Sequence, residues 1–295
     1  MNHKLYKKLY MLCCRLHIDS LLDCISDKNY LRLIYFLQCG YWFDIENPQN
    51  YNEKLQWIKL HDRNSNYSNL VDKYQVKKIV EVKLGKQYII PTLAIEKNFE
   101  DINISKLPNK FVMKCTHDSG SVFICKDKNQ INWKRLQKKF ARMMKKNYYG
   151  YLREWQYKNL EPHIIVEEYI GKNDALPYDY KFFCFNGEPK IVMVAKDRDT
   201  ITKSNFYDMN FIRLPLKIEN PNFDEEIREP DNFDEMIKIA RILSKGIRHV
   251  RIDLYNISGH IYFSEITFQH WGGFSHIEPP EWNRIMGDWI IIDDN

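Results

Sequence analysis

The order of segments predicts an α+β chain with mostly antiparallel sheets. Three observations carry that expectation. Apolar positions over residues 1–85 recur mainly at helical spacing, the pattern changes to short alternating runs from about residue 87, and two pairs of these runs are joined by turn signals, at Asn186-Gly187 and between Asn256 and Gly259. The last pair, residues 251–268, poses the main chemical question. Asp253 and Glu265 each interrupt an otherwise apolar and aromatic arm, and a half-buried carboxylate needs a cation, a hydrogen-bond partner or water.

The 295 residues are 44% hydrophobic and 28% charged, which is enough material for a large core and two or three subdomains. The aromatic share of 14% adds many stacking surfaces to that core. A formal net charge of +5 suits an anionic small-molecule substrate. It does not indicate a nucleic-acid protein, because Lys and Arg are spread along the chain without a sustained basic run. Seven cysteines, an odd number without CxxC spacing, argue for free thiols in a reducing compartment and against a zinc site.

The opening residues carry basic side chains ahead of an apolar stretch that Arg15, His17, Asp19 and Asp23 break, so neither a secretion signal nor a membrane span is expected there. On a helix, Leu5, Leu9, Leu12, Leu16 and Ile18 would share one side. Packing on its own domain is the first reading of such a helix, and peripheral membrane contact the second. The expected location is cytoplasmic, with the inner face of the membrane as the alternative.

Helical spacing continues over 52–60, with Leu55 and Ile58 inward and Asn50 or Asn52 as cap, and over 70–84, ending at Gly85. Residues 88–93 read as a short edge strand or loop, 110–114 as a strand, 117–121 as a loop of small and polar residues, and 122–125 as another strand. A basic amphipathic helix follows at 133–147, then a strand at 164–170 that stops at Gly171. The hairpin 179–195, a helix near 233–245 closed by Gly246, the hairpin 251–268, a loop at 271–274 and a short helical end over 281–292 complete the order.

Several residues are candidates for chemistry. Lys114 ends an apolar strand and precedes Ser119-Gly120-Ser121; an ammonium beside loop amides and hydroxyls can hold phosphate, and an ordinary surface turn is the competing reading. There is no P-loop and no GxGxxG. Glu167, Glu168 and Tyr169 close a hydrophobic strand whose backbone can meet a purine edge, with an acid for ribose. Lys181 shares one face with Asp179, Phe183 and Phe185, where an unpartnered lysine is disfavoured. Arg198 and Asn205 follow the next strand, and with Lys181 they suit phosphoryl oxygens. Asp253 and Glu265 are hard oxygen ligands suited to Mg2+, and Thr267 lies two residues beyond Glu265 on the same face.

Taken together, these pieces resemble the ATP-grasp superfamily, and more closely its TupA-like branch, named for teichuronopeptide biosynthesis. The resembling phrases are Tyr51–Trp57, Leu70–Tyr74, Leu107–Cys115, the Glu167-Glu168-Tyr169-Ile170 strand, Asp179–Gly187 and Val250–Tyr255, within about residues 45–275. The resemblance implies two α+β subdomains that hold ATP between antiparallel sheets, beside a helical N-terminal region. Residues 1–105 would form that region with short edge strands, 106–170 the small lid subdomain, and 171–295 the metal and substrate subdomain.

It implies that Lys114 contacts ATP phosphate and adenine, that Ser119, Gly120 and Ser121 lid the phosphates, and that Glu167, Glu168 and Tyr169 bind adenine and ribose. Lys181, Arg198 and Asn205 would face the transferred phosphoryl group, and Asp253, Glu265 and Thr267 the Mg2+. Thr267 stands where the wider superfamily usually has Asn. The implied activity is a carboxylate–amine ligase working through an acyl phosphate, with a uronic-acid sugar or polysaccharide precursor and an amine or amino acid as partners, in surface or capsule biosynthesis. A glycosyltransferase, a phosphotransferase (kinase) on the same fold and an ATP-binding scaffold without turnover are the competing readings.

Overall fold

The structure, a computed structural model, describes residues 25–171, 176–196 and 201–292. The helix expected around Leu5–Ile18 and the residue Arg198 lie outside them. Among the described residues are eight α-helices: α1 (Asp27–Cys39), α2 (Tyr51–His61), α3 (Tyr67–Val71), α4 (Gln75–Leu84), α5 (Trp133–Met143), α6 (Tyr148–Leu152), α7 (Phe233–Ser244) and α8 (Glu281–Asp288). None is long and apolar enough to cross a membrane.

Four strands form a small antiparallel sheet in the order β1 (Thr92–Glu96), β4 (Ile164–Glu168), β2 (Phe111–Cys115), β3 (Phe123–Cys125). Strand β1 brings a segment of the first 105 residues into the sheet expected of the small lid. Alternation sorts β2: Phe111, Met113 and Cys115 are buried in a core with Phe140 of α5, while Val112 and Lys114 face the other way.

The large sheet has six strands in the order β11 (His260–Thr267), β10 (His249–Ile257), β5 (Asp179–Phe185), β6 (Glu188–Lys196), β7 (Lys203–Tyr207), β8 (Arg213–Leu214). The β5–β6 and β10–β11 turns have the positive φ of Asn186 and Gly187, and of Ser258 and Gly259, which suits tight hairpins. Strands β7 and β8 extend the sheet beyond the two hairpins that the alternation showed. A further pair, β9 (Lys217–Ile218) and β12 (Ile277–Glu278), stands apart.

Both faces of the large sheet are covered. Tyr180, Phe182, Val250, Ile252 and Leu254 pack against α3, α4 and α7 through Val71, Val80, Phe233 and Ala240. Phe183, Phe185, Ile191 and Phe206 pack against α2 and α8 through Tyr51, Leu55, Ile58 and Met286. Helix α2 starts at Asn50, whose backbone N–H donates to Glu53 Oε2 at 3.1 Å, as in a capping box. Asn52 lies inside the helix, and its amide donates to Ser275 O at 2.7 Å.

Candidate active site between the two sheets

A cleft of about 460 Å3 separates the small sheet from the β10–β11 hairpin. Lys114, Gly120, Glu167, Glu168 and Tyr169 line it from the small-sheet side, and Lys181, Tyr255 and Glu265 from the large sheet. Apolar side chains, Ile90, Val112 and Ile170 among them, complete the wall. The cleft therefore offers cations from both sheets and an apolar bed for a flat ring.

On the small-sheet wall, Glu167 is buried and fully engaged. Its Oε2 lies 2.7 Å from Lys114 Nζ, and its Oε1 pairs with Lys77 Nζ of α4. Lys77 also donates to Ile90 O at 2.7 Å and Thr92 Oγ1 at 2.9 Å. Burial alone would raise the Glu167 pKa, but Lys114 and then Lys77 override it and bring it to about 2. Burial likewise works against the Lys114 ammonium; Glu167, Tyr255 and Glu265 outweigh it and raise its pKa above the ordinary lysine value. Lys114 is thus a fixed positive charge facing the cleft. Glu168 is exposed at the strand end, and its N–H donates to Pro91 O at 3.1 Å.

The loop after β2 divides into a tied base and an exposed tip, where Ser119 shares a side-chain hydrogen bond with Tyr148. Ser121 is buried; its Oγ accepts from the Cys115 N–H at 2.9 Å and donates to the Asp118 carboxylate. Lys73 donates to the Asp118 carbonyl. Ser119 and Gly120 are exposed at the tip, and Gly120 has a φ of 94° with open space where a Cβ would stand. The hydroxyl of Ser121 holds the loop's own shape, while Ser119 and Gly120 are the residues presented outward.

On the large-sheet wall, register brings the charged set together: Asp253 stands opposite Lys181 on one side and Glu265 on the other, and Arg251 opposite Thr267. A bulge follows Asp253 on the β11 side. Arg251 Nε and Nη2 each lie 2.7 Å from an oxygen of Asp253. Arg251 Nη2 also reaches Glu265 Oε1 at 3.0 Å and Thr267 Oγ1 at 3.1 Å. Lys181 Nζ lies 2.5 Å from both Asp253 Oδ2 and Asp179 Oδ2. Burial opposes the Arg251 charge, yet Asp253 and Glu265 raise its pKa further above the ordinary value. His270 Nδ1 accepts from Arg251 Nη1 at 2.6 Å; burial, then Arg251, keeps this ring neutral by pushing its pKa well down.

Three carboxylates, Asp179, Asp253 and Glu265, gather around Lys181 and Arg251, and Glu265 also bears on Lys114 across the cleft. Glu265, with its side chain 36% exposed, is the carboxylate of this set that lines the cleft wall. That hard-oxygen set fits Mg2+ held through one or two carboxylates and nucleotide phosphates. Glu265 would be the accessible ligand; Asp253, fully buried, backs it through Arg251. Among the described residues no cluster of three or more His, Cys, Asp or Glu is arranged around a single metal position.

The structure does not bring every candidate to the cleft. Asn205 pairs in register with Val194, whose face is that of Tyr180, opposite to that of Lys181. Its amide donates to Phe223 O at 2.8 Å and accepts from Phe223 N–H at 3.2 Å. Thr267 sits beside Glu265, its Oγ1 3.2 Å from Glu265 Oε1. Three residues central to the site were not singled out from the chain: Arg251, Lys77 and Lys73. Arg251 had a signal, since it lies two residues before Asp253 and so on the same strand face.

A family model described as TupA-like ATPgrasp matches residues 53–291. No curated protein sequence matches the chain. Among solved structures, D-alanine–D-alanine ligase from Bacillus anthracis complexed with ATP is similar at 18% identity, with 68% of this chain and 53% of that one covered and a TM-score of 0.39. An L-amino acid ligase from Bacillus licheniformis is similar at 12% identity, covering 75% and 49%, with a TM-score of 0.46. The ATP-grasp ligase PsnB complexed with a precursor variant, Mg and ADP is similar at 11% identity, covering 76% and 60%, with a TM-score of 0.41. The chain spans about half the length of the first two, 53% and 49%. The match over 53–291 takes in the cleft, both sheets and the β10–β11 hairpin, and the chain belongs to the TupA-like ATP-grasp family.

Proposed function

We propose that the protein is an ATP-dependent ligase that joins a carboxylate to an amine through an acyl phosphate. The observation that carries this reading is one cleft with a fixed ammonium on each wall, Lys114 and Lys181, and with Glu265 at its edge. The carboxylate oxygen would attack the γ-phosphorus of ATP, ADP would leave, and the amine nitrogen would then attack the acyl carbon and release phosphate. Lys114 would hold phosphate oxygens from the small sheet, with the exposed tip Ser119-Gly120 above them. Val112, Ile90 and Ile170 would bed the base, with Glu168 and Tyr169 at its edge. Lys181, backed by Asp179 and Asp253, would neutralise charge at the transferred group. Mg2+, when bound, would neutralise phosphate charge at Glu265.

The substrate proposed for the carboxylate is a uronic-acid sugar in a surface polysaccharide or its precursor, and for the amine an amino acid. The support for this finer reading is the family branch.

The test is the thermal midpoint with Mg2+-ATP and with ATP plus chelator, for wild type and Glu265→Gln. A rise of several degrees that needs Mg2+ and disappears in the variant is the expected result. No rise for the wild type at millimolar ATP, on the order of many times a typical dissociation constant, overturns the nucleotide site. Turnover then separates the chemistry. A ligase makes ADP and free phosphate only with carboxylate and amine both present, whereas a kinase makes ADP without phosphate.

A further inference from the structure

Adjoining the cleft along β3 and the loop before it lies a second, larger concavity of about 1930 Å3. It runs between β3, helix α5 and the segment 145–151, and Gly120, Phe123 and Ile124 line both it and the cleft. Its charged lining is one-sided: Lys126, Arg135, Lys139, Arg142, Lys145 and Lys146. The two acids there are used internally. Asp118 is tied to Ser121, and Asp127 accepts from the Asn129 N–H at 3.0 Å and from Gln130 Nε2 at 2.8 Å.

Between Trp133 and Asn147 the chain has seven Lys and Arg and no Asp or Glu. Arg135, Lys139, Arg142, Lys145 and Lys146 make no ion pair among the described residues; Lys139 and Arg142 reach only backbone carbonyls, at 3.5 and 3.3 Å. Arg135 and Lys139, and Lys138 and Arg142, are like charges one helical turn apart, an arrangement that costs the free helix stability. A concave surface of one sign concentrates field and recovers that cost when an anion with several charges fills it.

We propose that this groove binds a chain of repeating carboxylates, the polymeric part of the acceptor, and leads it past the Ser119-Gly120 tip toward the cleft. Two features favour that occupant. The surface is a trough, so it accepts a strand rather than the plane of a membrane. Several aromatic rings around it are engaged with the protein: Tyr148 stands edge-on to Tyr157 at 5.0 Å, and Phe123 and Trp133 pack, half-buried, against the small-sheet core. Rings engaged in this way are poorly placed for the base stacking that single-stranded nucleic acid uses. The destination of the chain rests on the ligase reading, but the binding itself does not.

The test uses the full chain and fluorescently labelled galacturonate oligomers at low and physiological ionic strength. A neutral dextran of equal length and a single-stranded RNA of equal charge serve as comparisons. Expected are binding of the oligomer that weakens with salt, no binding of dextran, weaker binding of RNA, and a loss of roughly tenfold or more in Arg135→Gln/Lys139→Gln/Arg142→Gln. That variant should keep the wild-type thermal shift with Mg2+-ATP. A second variant, Lys145→Gln/Lys146→Gln, lies outside the helix and gives the same reading if the first does not fold. Tighter binding of RNA than of the oligomer, or no oligomer binding at low salt, overturns the proposal. Oligomer binding without an ATP shift in the wild type leaves the groove standing and removes the ligase reading; an ATP shift without oligomer binding does the reverse.

Discussion

Arg251 holds Asp253 by two parallel contacts of 2.7 Å from a position two residues earlier on the same strand. Asp253 is fully buried and also faces Lys181, so it is the counter-charge for two cations. Asp253→Asn is expected to lower stability by about 3–5 kcal/mol in a denaturant titration, because it leaves buried charge uncompensated. Glu265→Gln is expected to cost no more than about 1 kcal/mol, since that side chain is partly in water. Glu265→Gln is therefore the cleaner probe of the metal, and equal stability losses in the two variants would contradict this division.

Glu167 has a folded-state pKa of about 2 against an ordinary 4.5, because Lys114 and Lys77 outweigh its burial. A depressed carboxylate contributes stability that is present above the ordinary value and lost as pH falls through the folded one. The contribution is about 3 kcal/mol and should disappear between about pH 4.5 and 2. Denaturant midpoints across that window should fall for the wild type and stay flatter for Glu167→Gln. The variant should also be less stable at neutral pH, where Lys77 and Lys114 lose their partner.

His249 gives a second acid limb at higher pH. It is buried, its Nδ1 donates to Phe268 O at 2.8 Å, and its Nε2 accepts from Tyr51 Oη at 3.2 Å. Burial pushes its pKa down to about 4 from 6.5. Here the unfolded chain takes up the proton first, so stability is complete above 6.5 and falls as pH drops toward 4, by about 3 kcal/mol. His249→Gln should flatten the midpoint profile in that interval and leave the lower limb of Glu167 in place.

Gly273 has a φ of 73°, and a Cβ there would stand 2.4 Å from Gln56 Nε2 and 2.9 Å from Leu55 Cβ. Gly273→Ala should cost about 3 kcal/mol from the left-handed backbone and the overpacking together, read as a lowered thermal midpoint. Gly120→Ala meets open space and should cost only the backbone strain, about 1–2 kcal/mol, read the same way.

Much of the site was legible because it lies on strands. Period-two alternation put Asp179, Lys181 and Phe183 on one face, and the turns at Asn186-Gly187 and Ser258-Gly259 paired the right arms. The same rule placed Arg251 with Asp253, yet a single arginine on a strand is ordinarily a surface residue, and only its neighbours in the sheet show it to be buried. Lys77 was beyond reach, since nothing local links a helix residue to Glu167 ninety positions later. Asn205 depended on the register of β7, a strand that the local pattern did not mark, and that register turns it to the other face of the sheet.

The anchoring of the loop at Gly272 and Gly273 has a consequence for how the molecule comes into being. Gln56 Nε2 donates to Gly273 O at 2.7 Å, and Lys59 Nζ to Gly272 O at 2.7 Å, across sequence separations of 217 and 213 residues. During synthesis helix α2 must wait for more than 200 further residues before it meets the loop it supports. Closure over so long a span is slow compared with local pairing. The two hairpins can form as they emerge, but the wall beside Arg251 and His270 is finished only when α2 meets a loop made more than 200 residues later. A nascent chain stalled before Gly272 would carry every residue of the small-sheet wall and still lack the support of the other.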